Sequence, residues 1–348
     1  MTDPHRPRTG IVTDRRYMDH VMGGYHVETP KRLETIYAMI DREISFPLDH
    51  ITPRPASKEK ILSIHTAEYY TTIRQTAGRE TVMLDPDTST CALTFDTALL
   101  AAGGVIEAAD AVLRGDVENA FAFVRPPGHH AETDRSMGFC IFNNIAIAAE
   151  HLLHARGCRK ILIVDWDLHH GNGTQHSFEH RSDVLYFSTH QFPYYPGTGH
   201  WTETGKGQGK GFTLNIPLST GKDDQDYRAV FHHILRPVCL AYAPDIILVS
   251  AGFDIHIDDP LGGMHVSDAG FAALTRELMD MAEQTCGGKL VFVLEGGYNL
   301  IGQSRGVRHV LEQLSGNMND PDIPADISPN LKRELQPVIR TVGQYWNL

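Results

Sequence analysis

The chain has 348 residues, 41% of them hydrophobic and 21% charged, enough apolar content to bury a large core and too much for a disordered segment. With 31 Lys and Arg against 43 Asp and Glu its formal net charge is −12, which repels phosphate backbones and anionic lipid and argues against a nucleic-acid or membrane partner. Cys91, Cys140, Cys158, Cys239 and Cys286 are odd in number without CxxC spacing, the opening MTDPHRPRTG lacks an apolar h-region, and no run reaches the ~18 apolar residues of a membrane span; a cytoplasmic, reducing location is expected.

In chain order, GIVTD (10–14) predicts an edge strand, PKRLETIYAMI (30–40) a helix, and EKILSIHTAEYYTTIRQTA (59–77) a second helical region. From residue 95 onward, β-branched runs alternate with longer segments of helical period. Strands are predicted at 120–124, 161–165, 184–188, 212–216, 245–250 and 290–295, and their near-continuous apolar composition marks them as buried on both faces. Helices are predicted at 96–114, 142–156, 225–242 and 267–285, the last with a Ser267/Asp268 start and a Gly287-Gly288 stop. This alternation predicts an α/β fold, a mainly parallel central sheet with helices on both faces. No linker or repeat divides the chain, so 1–348 is read as a single catalytic domain with a core at about 20–310. TGKGQGKG (204–211) lacks the strand and helix context of a phosphate loop and is read as a plain loop.

Twenty histidines are more than composition requires, and they cluster. Ligands of open α/β sheets bind beyond the carboxyl ends of the strands, and polar residues gather there after five of the predicted strands. The segments are RPPGHHAE (125–132), DWDLHHGNGT (165–174), STH (188–190), SAGFDIHIDD (250–259) and EGGYN (295–299). Asp167 and His169, two apart at a strand end, project to the same side and suit two ligands of one ion, with Asp254 as the obvious third. Three protein ligands with an open position is the pattern of a catalytic zinc site. Any one of these histidines alone reads as a polar core residue; the DxDxHH segment at a strand end does not. Adjacent histidines cannot easily chelate one ion, so His129 and His130 suit acid/base work, with Asp165 and Asn172 as candidate partners that would separate the roles of the two rings. His232-His233 lies inside a helical pattern and is given no chemistry. Gly296-Gly297 permits close backbone approach and a positive-φ turn that would aim the Tyr298 phenol into the site, where it can donate to an oxyanion.

Together these segments, with GFCIFNNIAIAA, YYPGTGH and DPLGG, resemble the zinc-dependent histone deacetylase superfamily, its class II members above all, which includes bacterial histone deacetylase-like amidohydrolases and acetylpolyamine amidohydrolases. The resemblance covers about residues 20–310 and implies the single-domain arginase/deacetylase-like fold. It implies Zn²⁺, or Fe²⁺ in its place, on Asp167, His169 and Asp254. It makes His130 the general base and later acid, His129 with Asp165 its electrostatic companion, and Tyr298 the oxyanion donor. Gly138, Phe139 and Tyr195 become walls of a channel for the lysine methylenes, Leu261 its rim, and Asp87 a rim contact to the substrate amide. It further implies structural K⁺ at Asp165, the backbone of Asp167 and His169, and Ser188, with a second K⁺ near Phe178 and Val184. Asn172 stands where class I members have Asp.

The expected activity is removal of acetyl or short acyl groups from acyl-lysine in a peptide or protein. Deacetylation of acetylpolyamines or other small acylated amines is the alternative, disfavoured by Leu261 and the short 79–95 segment, although an oligomer could supply the missing charges. A non-catalytic acyl-lysine reader would not need His129, His130 and Tyr298 together, and a binuclear manganese hydrolase would need a second carboxylate-rich ligand set.

Overall fold

The computed structural model describes residues 7–348. Its strands are β1 (Thr9–Val12), β2 (Asp49–His50), β3 (Val82–Met83), β4 (Ser89–Thr90), β5 (Asn119–Ala122), β6 (Ile161–Asp165), β7 (Val184–Gln191), β8 (Thr213–Leu218), β9 (Ile246–Ala251) and β10 (Leu290–Leu294). The helices are α1 (Lys31–Glu43), α2 (Lys58–Ile61), α3 (Ala67–Arg74), α4 (Thr94–Arg114), α5 (Asn144–Arg156), α6 (Asn172–Phe178), α7 (Asp224–Val230), α8 (Arg236–Tyr242), α9 (Asp268–Cys286), α10 (Leu300–Leu314) and α11 (Pro329–Val342). Among the described residues no helix is long and apolar enough to cross a membrane.

Eight strands form one sheet in the order β2-β1-β5-β10-β9-β6-β7-β8, and every pairing in it is parallel. The five polar segments follow β5, β10, β9, β6 and β7, which are contiguous in that order, so one edge of the sheet collects all of them. From β6 the chain steps outward to β7 and β8; it then returns to β9, on the other side of β6, and continues to β10. The β6/β9 boundary is therefore the topological switch point, where crossover loops diverge and leave a crevice.

The apolar runs expected to be buried strands lie in the sheet, because a parallel sheet covered on both faces needs that composition; β6 is buried at every position. Helix α9 also ends where its signals place it: the Ser267 hydroxyl accepts from Gly270 N, and Gly287 adopts φ 62°. Elsewhere the structure differs. Residues 9–12 lie one strand in from the edge, because the two-residue β2 pairs outside them. The 59–77 region is two short helices, and 225–242 is broken between α7 and α8 by a π-helical turn at Phe231–Leu235. Pro237 lacks an N–H and would press on the carbonyl four residues back, and the wider turn relieves both. His232 and His233 in that turn bond to Glu277 and to the Ala325 carbonyl, a structural use. Helix α11 buries Leu331, Leu335, Val338 and Val342 and packs on β8, covering an otherwise open sheet edge.

Behind the crevice lies a fully buried ionic cluster. Arg125, just past β5, donates through Nε and Nη2 to the two oxygens of Glu28, and Arg32 of α1 donates to Glu28 Oε1 at 3.2 Å. Burial raises the Glu28 pKa, but Arg125 and then Arg32 outweigh it and bring it from 4.5 down to about 2. A depressed carboxylate contributes stability that is complete above its unfolded value and is lost as pH falls through its folded one, here between about 4.5 and 2. Glu28→Ala leaves two guanidinium groups buried without a counter-charge. It should cost about 3–5 kcal/mol in urea unfolding at neutral pH and remove that acid-dependent loss. An unchanged unfolding midpoint would deny the cluster this role.

Candidate active site

The end of β6 is organised by two successive side-chain turns. Asp165 Oδ1 accepts from Asp167 N at 3.2 Å, and Asp167 Oδ1 accepts from His169 N at 2.9 Å, which brings Asp167 and His169 to one side. Asp254, beyond β9, accepts from Leu168 N at 3.0 Å, so the two strand ends are tied across the switch point. Asp167 Oδ2 accepts from Gly296 N at 2.8 Å beyond β10. A Cβ at Gly296 would collide with the carboxylates of both Asp254 and Asp167, so only glycine permits this approach. The positive φ of the pair falls on Gly297 alone, at 113°.

His169 Nδ1 stands 3.2 Å from Asp167 Oδ1 and 3.0 Å from Asp254 Oδ2. Asp167, His169 and Asp254 are all buried, and one donor atom from each lies within 4.8 Å of the other two. Two carboxylates and an imidazole are a donor set for a divalent first-row ion, and buried carboxylates this close repel each other unless a cation sits between them. These residues therefore fit the expected ion. His129, Cys140 and Glu295 form a second close set. There, however, His129 Nδ1 bonds Asp165, and Glu295 accepts from Gly128 N, His129 N and Ser250 Oγ, so the polar groups are already satisfied within the chain.

The structure separates the two neighbouring histidines as their partners imply. His129 Nδ1 lies 3.1 Å from Asp165 Oδ2, which also accepts from the Tyr186 hydroxyl at 3.0 Å. Burial opposes charge on His129, but Asp167, Asp165 and Glu295 outweigh it and raise its pKa to about 10. His130 Nδ1 lies 2.7 Å from Asn172 Oδ1. Burial, and then the charge on the neighbouring His129, push His130 well below its ordinary value, so it is neutral at physiological pH. With the rings 4.0 Å apart, charge on one disfavours charge on the other.

His130, His169 and Tyr298 line a cavity of about 80 Å³ together with Gly138, Phe139, Tyr195, Leu261 and Asp87. The channel residues expected from the sequence are thus brought to one opening. Phe139 adopts φ 70°, a rare conformation for a bulky residue, and its N–H is held by Thr88 Oγ1 at 3.0 Å. The same hydroxyl donates to Asp87 Oδ1 at 2.9 Å, linking wall and rim. Phe139 meets Tyr298 edge-on at 5.8 Å, and Tyr195 meets His130 edge-on at 5.2 Å. Burial pushes the Tyr298 phenol well above its ordinary value, so it stays a proton donor. Of the residues expected at the potassium sites, Asp165 and Ser188 are directly paired across β6 and β7, while Phe178 is the last residue of α6 and Val184 the first of β7.

Sequence reasoning missed the groups that hold this constellation. Glu295 anchors the backbone of Gly128 and His129; its position right after an apolar strand was a usable signal. Arg32 donates to the carbonyls of Gly297 and Glu295 at 2.7 and 2.5 Å and lies 5.1 Å from the Tyr298 ring, but on a charged helix it reads as a solvated residue. The Tyr194 hydroxyl donates to the Leu261 carbonyl at 2.8 Å, and its ring stacks on His169 at 5.7 Å.

A buried carboxylate–imidazole triad that could hold an ion, set at the switch point of a parallel sheet, is an arrangement found in metal-dependent α/β enzymes. A family model described as histone deacetylase domain matches residues 26–314. The chain is 43% identical over 297 residues to a probable deacetylase of Archaeoglobus fulgidus, covering 84% of this chain and 82% of the relative. It is 38% identical over 333 residues to histone deacetylase 15 of Arabidopsis thaliana, covering 93% of this chain and 59% of the relative. The crystal structure of the HDA15 HD domain matches with a TM-score of 0.90 at 37% identity, covering 98% of this chain and 96% of that one. The chain belongs to the histone deacetylase family. It spans little more than half the length of the plant relative and of histone deacetylase HDA1 of Saccharomyces cerevisiae, of which it covers 53%.

Proposed function

We propose that this chain hydrolyses the side-chain amide of N-acetyl-lysine, or of a short-acyl analogue, with one Zn²⁺ or Fe²⁺ held by Asp167, His169 and Asp254. The observation that carries this reading is the meeting of His130, Tyr298 and His169 on one small cavity, where burial favours a neutral imidazole at His130 and an intact phenol at Tyr298. When bound, the ion supplies Lewis acidity that polarises the amide carbonyl and makes water nucleophilic near neutral pH. His130, whose Nδ1 is engaged by Asn172, takes the proton of the attacking water on Nε2 and returns it to the leaving amine. The Tyr298 hydroxyl donates to the carbonyl oxygen as it gains negative charge. His129, paired with Asp165, keeps positive charge beside the reacting centre. Phe139 and Tyr195 exclude water from the aliphatic stem, and Asp87 accepts from the substrate amide at the rim. K⁺ on Asp165, Ser188 and the nearby carbonyls, and a second near Phe178 and Val184, would stiffen the β6/β7 end from below.

Leu261 at the rim favours an uncharged lysine stem over a polyamine. One observation favours the alternative of an acetylpolyamine: Asp87 N donates to Asp85 Oδ1 at 2.9 Å, so two carboxylates stand together near the rim, where a second ammonium would be attracted. Steady-state hydrolysis of acetyl-lysine peptides against acetylputrescine and acetylspermidine separates the two. The peptides are expected to show the higher kcat/KM. A preference for the polyamines would keep the chemistry and overturn the reading of Leu261.

A further inference from the structure

Resting on the deacetylase reading above, we propose that Glu132 is a positioning residue for that reaction, whose carboxylate fixes the orientation of the Asn172 amide and, through it, the tautomer of His130. The Asn172 amide has a donating and an accepting end. Nδ2 donates to Glu132 Oε1 at 2.6 Å and to the His130 carbonyl at 3.2 Å, which leaves Oδ1 facing His130 Nδ1 at 2.7 Å. Turned the other way, Asn172 would set Oδ1 against a carboxylate oxygen, acceptor against acceptor. It would also present Nδ2 to His130 Nδ1, which would then have to accept, moving the ring proton to Nε2. An ionised carboxylate only accepts, so it permits the first arrangement alone. His130 then carries its proton on Nδ1 and keeps the Nε2 lone pair for the cavity.

Glu132 has the surroundings this task needs. It is only 6% exposed, so it is no solvated surface charge. His176, one turn after Asn172 on α6, places Nδ1 at 2.9 and 3.1 Å from the two carboxylate oxygens, and Arg135 approaches to 3.8 Å. Burial raises the Glu132 pKa, but the bonds from His176 and Asn172 outweigh it and hold the group ionised. The contrast with His129 is informative. Asp165 touches that ring directly and favours its charged form, whereas Glu132 acts one amide further away, orienting His130 without stabilising its imidazolium in the same way.

The test is Glu132→Gln in two backgrounds, native and Asn172→Asp. In the native background kcat on an acetyl-lysine peptide should fall about 10–100-fold with KM changed less than about twofold. Asn172→Asp alone should also lose activity, because the new carboxylate would face Glu132; unchanged or raised activity there overturns the proposal. Adding Glu132→Gln to Asn172→Asp should raise kcat, since the glutamine amide can donate where the carboxylate repelled. This change of sign is what a merely structural role would not produce, and equal losses in both backgrounds would refute positioning. The ring-nitrogen signals of ¹⁵N-labelled His130 give a readout independent of turnover: the proton should sit on Nδ1 in the native chain and be found in part on Nε2 in Glu132→Gln. An unshifted tautomer refutes the proposal even if the chain proves not to be a deacetylase, while an active native enzyme with an indifferent Glu132 leaves the deacetylase reading intact.

Discussion

His130→Ala is expected to lower kcat on an acetyl-lysine peptide by about 10²–10⁴, the range over which a positioned general acid–base acts. Two features make this variant informative. His130 bonds to Asn172 rather than to Asp167, His169 or Asp254, so its loss should leave metal content at the native level. It is also the member of the pair that burial keeps neutral, and therefore the one able to accept a proton at physiological pH. The Asp165 carboxylate, 3.1 Å from His129 Nδ1, favours the charged form of that ring, which leaves it no free lone pair for the task. Steady-state kinetics with metal analysis of the same preparation checks both halves. A variant that keeps native kcat would move the base elsewhere.

Tyr298→Phe should cost about 10²–10³ in kcat, the price of one missing oxyanion donor, with KM little changed. The ring contacts argue that only the hydroxyl is lost. The edge-on packing against Phe139 and the Arg32 guanidinium 5.1 Å from the ring both suit a phenylalanine equally well. Thermal unfolding measured beside the kinetics should accordingly show a fold as stable as the native one. An undiminished rate would remove Tyr298 from the chemistry.

The sheet was legible because its strands are short, apolar and regularly spaced, and because parallel strands put all their carboxyl ends on one edge. The candidate site could be picked out for the same reason: Asp167, His169, His130, Asp254 and Tyr298 each follow such a strand. What sequence could not supply was contact between distant segments. Nothing around Arg32 announces that its guanidinium reaches the carbonyls of Gly297 and Glu295. Glu28 likewise reads as a surface acid until Arg125 is seen against it. The two-residue β2 is too short to carry a period, and the break near Pro237 needs knowledge of what the helix packs on. Glu132 stood inside the RPPGHHAE segment, but only the fold brings Asn172 and His176 to its two sides.

If Asp167, His169 and Asp254 hold one catalytic ion beside His130 and Tyr298, activity must follow the occupancy of that ion. Titrating chelator-stripped protein with Zn²⁺, while following bound metal and peptide deacetylation together, tests it most directly. Activity is expected to rise in proportion to occupancy, to saturate at one ion per chain, and to be absent at every zinc level in Asp254→Asn. Full activity in the stripped protein, or saturation only at two ions per chain, would contradict it.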